Sequence, residues 1–239
     1  MMYKELKTVY EDDTIKLTYV DMGSDDLVIS VSSSPRYAQG EEISIEQFIG
    51  TLINNNRSAL FVIEKVRTQL GNNLDLPKIA AAIATISKDY HSVYGLGYCS
   101  GGSLAIVLSK YLYMRSVTAI TPMWSFHPDF VPEGDFRRDM FTAYYEHWNM
   151  KDIGGHFRDD TQYYLFSSDG EFDKQQMQYF PVQNNITKFE FGPAFGHDLP
   201  VALPDGKLEE LIMACILGKP EKVINFIEDY YKEYDQSIL

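Results

Sequence analysis

The chain has 239 residues, 45% hydrophobic and 14% aromatic, enough for one substantial core and unlike a disordered segment. Its formal net charge of −13 argues against nucleic acid and anionic membrane surfaces as partners. The two cysteines, Cys99 and Cys215, lie in no Cys-x-x-Cys pattern, which argues against a metal site or a disulfide framework. No signal peptide or membrane span is read in the sequence, so a cytoplasmic protein is expected.

In chain order, residues 7–10 and 15–20 read as strands, the second with period-two alternation, and 27–31 as a continuous apolar strand ending in Ser32-Ser33-Ser34-Pro35. Residues 43–54 carry helical spacing at Ile45, Phe48, Ile49 and Leu52, and 59–63 read as a buried strand. Pro77 suits the first turn of a helix over 78–90. A strand over 92–96 then meets a glycine-rich turn and a buried helix over 103–108. Beyond it lie a strand at 117–120, an irregular aromatic stretch at 123–128 and a helix over 135–148. Strands follow at 163–167 and 186–191, then helices at 208–217 and 221–234. Apolar strands alternating with helices predict an α/β fold, a mostly parallel sheet with helices on both faces. Residues 1–239 read as a single domain, and about 123–160, which interrupt the alternation, as a small cap over the strand ends.

The chemistry concentrates in Gly97-Tyr98-Cys99-Ser100-Gly101-Gly102, set between a strand and a helix. A nucleophile on so tight a turn needs small residues two positions to either side. For Cys99 these are Gly97 and Gly101; for Ser100, the alternative, they are Tyr98 and Gly102, and a tyrosine there should collide with the helix. The helix N-terminus also favours an anion at this point and readies a thiolate. A base is expected after the last strand and an acid after the strand before it. His197 is the histidine in that place; His91 precedes the strand of the turn, and His147 and His156 fall in the cap. Asp173 and Asp169 both follow the 163–167 strand, Asp173 being favoured by its spacing from Gly170. An oxyanion hole would draw on the backbone N–H of Ser100 and of Ser33 in the serine-rich loop. Trp124 and His127 are candidates to line a substrate pocket, with Phe126, Trp148, Tyr144 and Tyr145 as further aromatic residues or cap packing.

These motifs resemble the nucleophile elbow and triad order of the α/β-hydrolase superfamily over most of the chain. Gly97-Tyr98-Cys99-Ser100-Gly101-Gly102 is similar to the Gly-Tyr-Cys-x-Gly-Gly elbow of the dienelactone hydrolases, a likeness that implies a Cys–His–Asp triad acting on small esters or lactones. The serine-rich loop, the paired glycines, the stretch from Thr121 to Pro128 and the late histidine are also similar to esterase-like proteins of bacterial polysaccharide and accessory-secretion loci. Two departures stand out: a cysteine where most esterases have serine, and Ser32-Ser33-Ser34 in place of a His-Gly oxyanion motif. A cysteine in this slot also occurs in acyltransferases of the superfamily. The expectation is a hydrolase of carboxylic esters, lactones or thioesters that takes a small-molecule or saccharide ester and needs no cofactor. The alternatives are an acyltransferase to a sugar or alcohol and a catalytically silent accessory protein.

Overall fold

A computed structural model describes residues 5–238 except 34–35, 39–40, 44, 69, 136, 139–147, 193–194, 196, 198, 200–202 and 205. Among the described residues there are ten strands: β1 Lys7–Glu11, β2 Ile15–Val20, β3 Asp26–Val31, β4 Arg36–Ala38, β5 Glu41–Ile43, β6 Ser58–Glu64, β7 Ser92–Tyr98, β8 Ser116–Ile120, β9 Gln162–Ser167 and β10 Ile186–Glu190. The helices are α1 Ile49–Asn54, α2 Leu76–Ser87, α3 Ser100–Ser109, α4 Glu171–Tyr179, α5 Lys207–Ile216 and α6 Glu221–Ile238.

Eight strands form one sheet in the order β1-β2-β6-β3-β7-β8-β9-β10. β2 runs antiparallel to β1 and β6, and every pairing from β6 to β10 is parallel. The parallel strands are apolar because both faces are covered. One face packs on α2, α3 and α4 through residues such as Ile83, Leu104 and Met177. The other packs on α1, α5 and α6 through Leu52, Ile212 and Val223. β7 shows the division: Tyr94, Leu96 and Tyr98 join the second core, while Gly95 and Gly97 clear space on the first, where a Cβ would meet Met114 and the start of α3. α3 is buried along its whole length, and Ser103 Oγ ties it to the segment after β8, donating to Met123 O (2.7 Å) and accepting from Met123 N (2.8 Å).

The helix expected over 43–54 is shorter than its apolar spacing suggested. Residues 41–43 form β5, paired with β4, and only Ile49–Asn54 is helical. The reason is local. Phe48 adopts a left-handed conformation (φ 62°), and Gln47 bonds across to the end of β3 instead of along a helix, its carbonyl accepting from Ser30 Oγ (2.7 Å). Most of the helix expected over 135–148 lies outside the described residues. The closing helix runs on to Ile238. Among the described residues no helix is long and apolar enough to cross a membrane.

Candidate active site

Cys99 occupies the single-residue step between β7 and α3, with φ 54° and ψ −126°. Few residues adopt this conformation freely; it costs about 1–3 kcal/mol and persists where the surroundings over-determine it. Here they do. The Cys99 N–H donates to Ile120 O (2.8 Å), and its carbonyl accepts from Ser103 N (3.2 Å). A Cβ on Gly97 would lie 2.4 Å from the Gly101 carbonyl, and one on Gly101 would lie 2.4 Å from Val31 O. Only glycines at both positions let α3 approach β7 and β3 this closely. The turn lifts the half-buried Cys99 to the C-terminal end of the sheet, packed against both cores. Ser100 follows as the buried first residue of α3.

His197 lies beyond β10, and its Nδ1–H donates to Asp173 Oδ1 at 2.8 Å. Asp173 sits in the first turn of α4 and is buried, its side chain 3% exposed. Its second oxygen accepts from Ser168 Oγ, and that hydroxyl oxygen accepts from Gly170 N (3.3 Å). Tyr98, the last residue of β7, donates its hydroxyl to His197 O (3.2 Å), with ring centroids 5.6 Å apart. Burial works against a charged His197 imidazole. The hydrogen bonds to Asp173 and Cys99 and the charge of both partners outweigh it, and its pKa is pushed up to about 10. With Nδ1 committed to the carboxylate, Nε2 is the nitrogen left for the thiol. The structure thus brings the Cys99, His197 and Asp173 side chains together, with the imidazole between the thiol and the carboxylate.

The other candidates fall as follows. Asp169 pairs with Lys174. The Ser33 N–H donates to Gln47 Oε1 (3.0 Å), while Gln47 Nε2 donates to Ser33 Oγ (2.6 Å). Trp124 lies in an aromatic cluster, its ring centroid 5.4 Å from Phe180 and 6.5 Å from Phe157. His127 lies edge-on to Trp148 at 5.2 Å, and burial lowers its pKa. Tyr144, Tyr145 and His147 lie outside the described residues. Among the described residues no three His, Cys, Asp or Glu side chains converge as metal ligands. Three residues at the site escaped the sequence reading: Ser168, Tyr98 as a tether for His197, and Gln47. Ser168 stands beside a recognised acid and was traceable as its neighbour. The Gln47–Ser33 and Tyr98–His197 contacts span 14 and 99 residues and leave no local signature.

No protein-family model matches the sequence, and no curated protein matches it. Solved structures do. A capsule O-acetyltransferase of Neisseria meningitidis serogroup A is 15% identical, with 100% of this chain and 95% of that chain covered and a TM-score of 0.61. An esterase of Pyrococcus furiosus is 14% identical, with 87% and 90% covered and a TM-score of 0.55. A Glycosylation Associate Protein complex of Streptococcus agalactiae is 11% identical over 74% of this chain and 40% of that one, with a TM-score of 0.52. With its strand order, the chain has an α/β-hydrolase fold.

Proposed function

We propose that the protein hydrolyses carboxylic esters, lactones or thioesters through Cys99, His197 and Asp173. The observation that carries this reading is the 2.8 Å hydrogen bond orienting His197 on a buried Asp173, with Cys99 as its other partner. The proton of the Cys99 thiol rests on His197, whose imidazole the site holds in its charged form, and the sulfur attacks the substrate carbonyl carbon as a thiolate. The resulting oxyanion is held by the backbone N–H of Ser100, at the positive end of α3. For Ser33 to serve as second donor, its N–H exchanges Gln47 Oε1 for the substrate oxygen. The tetrahedral adduct collapses, His197 gives its proton to the departing alkoxide or thiolate, and an acyl-thioester remains on Cys99. Water, deprotonated by His197, then releases the acid and restores the thiol. The test is turnover of an activated ester: wild type hydrolyses it, and Cys99→Ala and His197→Ala do not. Equal turnover by Cys99→Ala would remove Cys99 from the reaction.

Transfer of the acyl group to a sugar or alcohol is the second reading. Two features favour it: a thioester is a good acyl donor, and a capsule O-acetyltransferase shares the fold. Product analysis with and without an acceptor alcohol separates the two, since only transfer yields a new ester.

A further inference from the structure

A cavity of about 540 Å³ opens at the opposite edge of the sheet from Cys99, under the N-terminal ends of β7, β8 and β9 and beside the end of α5. β7 alone puts about 20 Å between the two sites, at roughly 3.3 Å per strand residue. Ser92, Tyr94, Ser116 and Tyr164 line the cavity from adjacent strands, and His91 and Arg115 stand at its rim. In-register pairing of Tyr94 with Ser116 and of Ser116 with Gln162 sets these side chains side by side.

Two features mark the cavity as more than a surface fold. Ser92 and Ser116 are 8% and 4% exposed, yet their hydroxyls reach the cavity with no hydrogen-bond partner among the described residues. Neither hydroxyl is among the fully buried side-chain atoms without a partner, so both are open to the cavity and to a ligand that enters it. The second feature is charge. In a chain of net charge −13, Arg57, Arg137 and Arg158 each pair with an aspartate. Among the described residues Arg115 makes no ion pair, and the one carboxylate that lines the cavity, Asp26, is held by Arg57 at 2.6 Å. A second depression, of about 430 Å³, shares His91, Ser92 and Arg115 and adds Lys88, so cationic groups gather along this rim.

We propose that this cavity binds a small anionic polyol, a sugar phosphate or sugar acid. Arg115 and His91 would take the anion, Ser92 and Ser116 the hydroxyls, and the tyrosine rings the sugar face. The volume falls in the range of small-molecule sites. The experiment is NMR titration of the labelled protein with glucose 1-phosphate, glucuronate, glucose and inorganic phosphate. Glucose 1-phosphate or glucuronate is expected to shift the amides of residues 91–94 and 115–116, glucose is not, and the tighter of the two identifies the anion. Arg115→Ala is expected to weaken binding about tenfold or more, as loss of a charge-assisted contact does, and Ser116→Ala, separately, by about threefold to tenfold, as loss of a neutral hydrogen bond does. The Cys99→Ala variant should bind as wild type does. Absence of shifts, shifts confined to the surroundings of Cys99, or binding unchanged in Arg115→Ala would overturn the proposal. Inorganic phosphate binding as tightly as the sugars would overturn its polyol part.

Discussion

Asp173 uses both carboxylate oxygens, one on the His197 ring and one on Ser168. That arrangement fixes the imidazole tautomer and favours its charged form. The Asp173→Asn variant should therefore bring the His197 titration midpoint down from about 10 towards the ordinary 6.5, read from the His197 ring proton in an NMR titration. On the proposed mechanism turnover should fall by about 10⁴-fold, as it does when a Ser-His-Asp triad loses its acid. The sign for stability follows from the same shift. A histidine with a raised folded pKa contributes stability that is fully present below 6.5 and lost as pH rises through about 10. Chemical denaturation of wild type should show this decline, and Asp173→Asn should flatten it. Asp173 and Asp169 were both open choices in the sequence because each follows β9 at a workable spacing. The difference between them lies in the first turn of α4, which turns Asp173 inwards towards His197, while Asp169 pairs with Lys174.

At the scale of elements, the turn between β7 and α3 depends on backbone atoms packed closer than any side chain allows. Gly97→Ala or Gly101→Ala would drive a methyl group to 2.4 Å from a backbone oxygen. Overpacking of this kind costs about 1–3 kcal/mol, and rigid backbone on the receiving side places these variants at the upper end. Gly155, with nothing within 4 Å of its would-be Cβ, is the matched control, and Gly155→Ala should stay within about 0.5 kcal/mol of wild type. Urea denaturation midpoints give the comparison. This turn was readable in the sequence because its constraint is local: glycines at fixed offsets between an apolar strand and an apolar helix. The segment from 41 to 54 was less so. Ile45, Phe48, Ile49 and Leu52 carry helical spacing, but Ile45 is 58% exposed and Gln47 is bound to Ser30 and Ser33. Those long-range bonds override local periodicity.

For the whole molecule, the strands in chain order and the two-sided cover were legible because apolar runs such as Ala59-Leu60-Phe61-Val62-Ile63 demand burial on both faces. The strand order was not, since it is set by which crossovers pack, and no single residue records it. The net charge of −13 acts over the whole surface. An anionic ester should react with a lower kcat/KM than a neutral isostere at low salt, and the gap should narrow as ionic strength rises, because added salt shortens the Debye length. Steady-state kinetics across a salt series measure this. The central claim is a covalent one: the acyl group passes through the sulfur of Cys99. Rapid quenching during turnover of an activated acyl ester, followed by intact and peptide mass spectrometry, tests it most directly. The account predicts one acyl adduct, located on Cys99, released by hydroxylamine and absent from Cys99→Ala. An adduct on Ser100, or equal labelling of the Cys99→Ala protein, would contradict it.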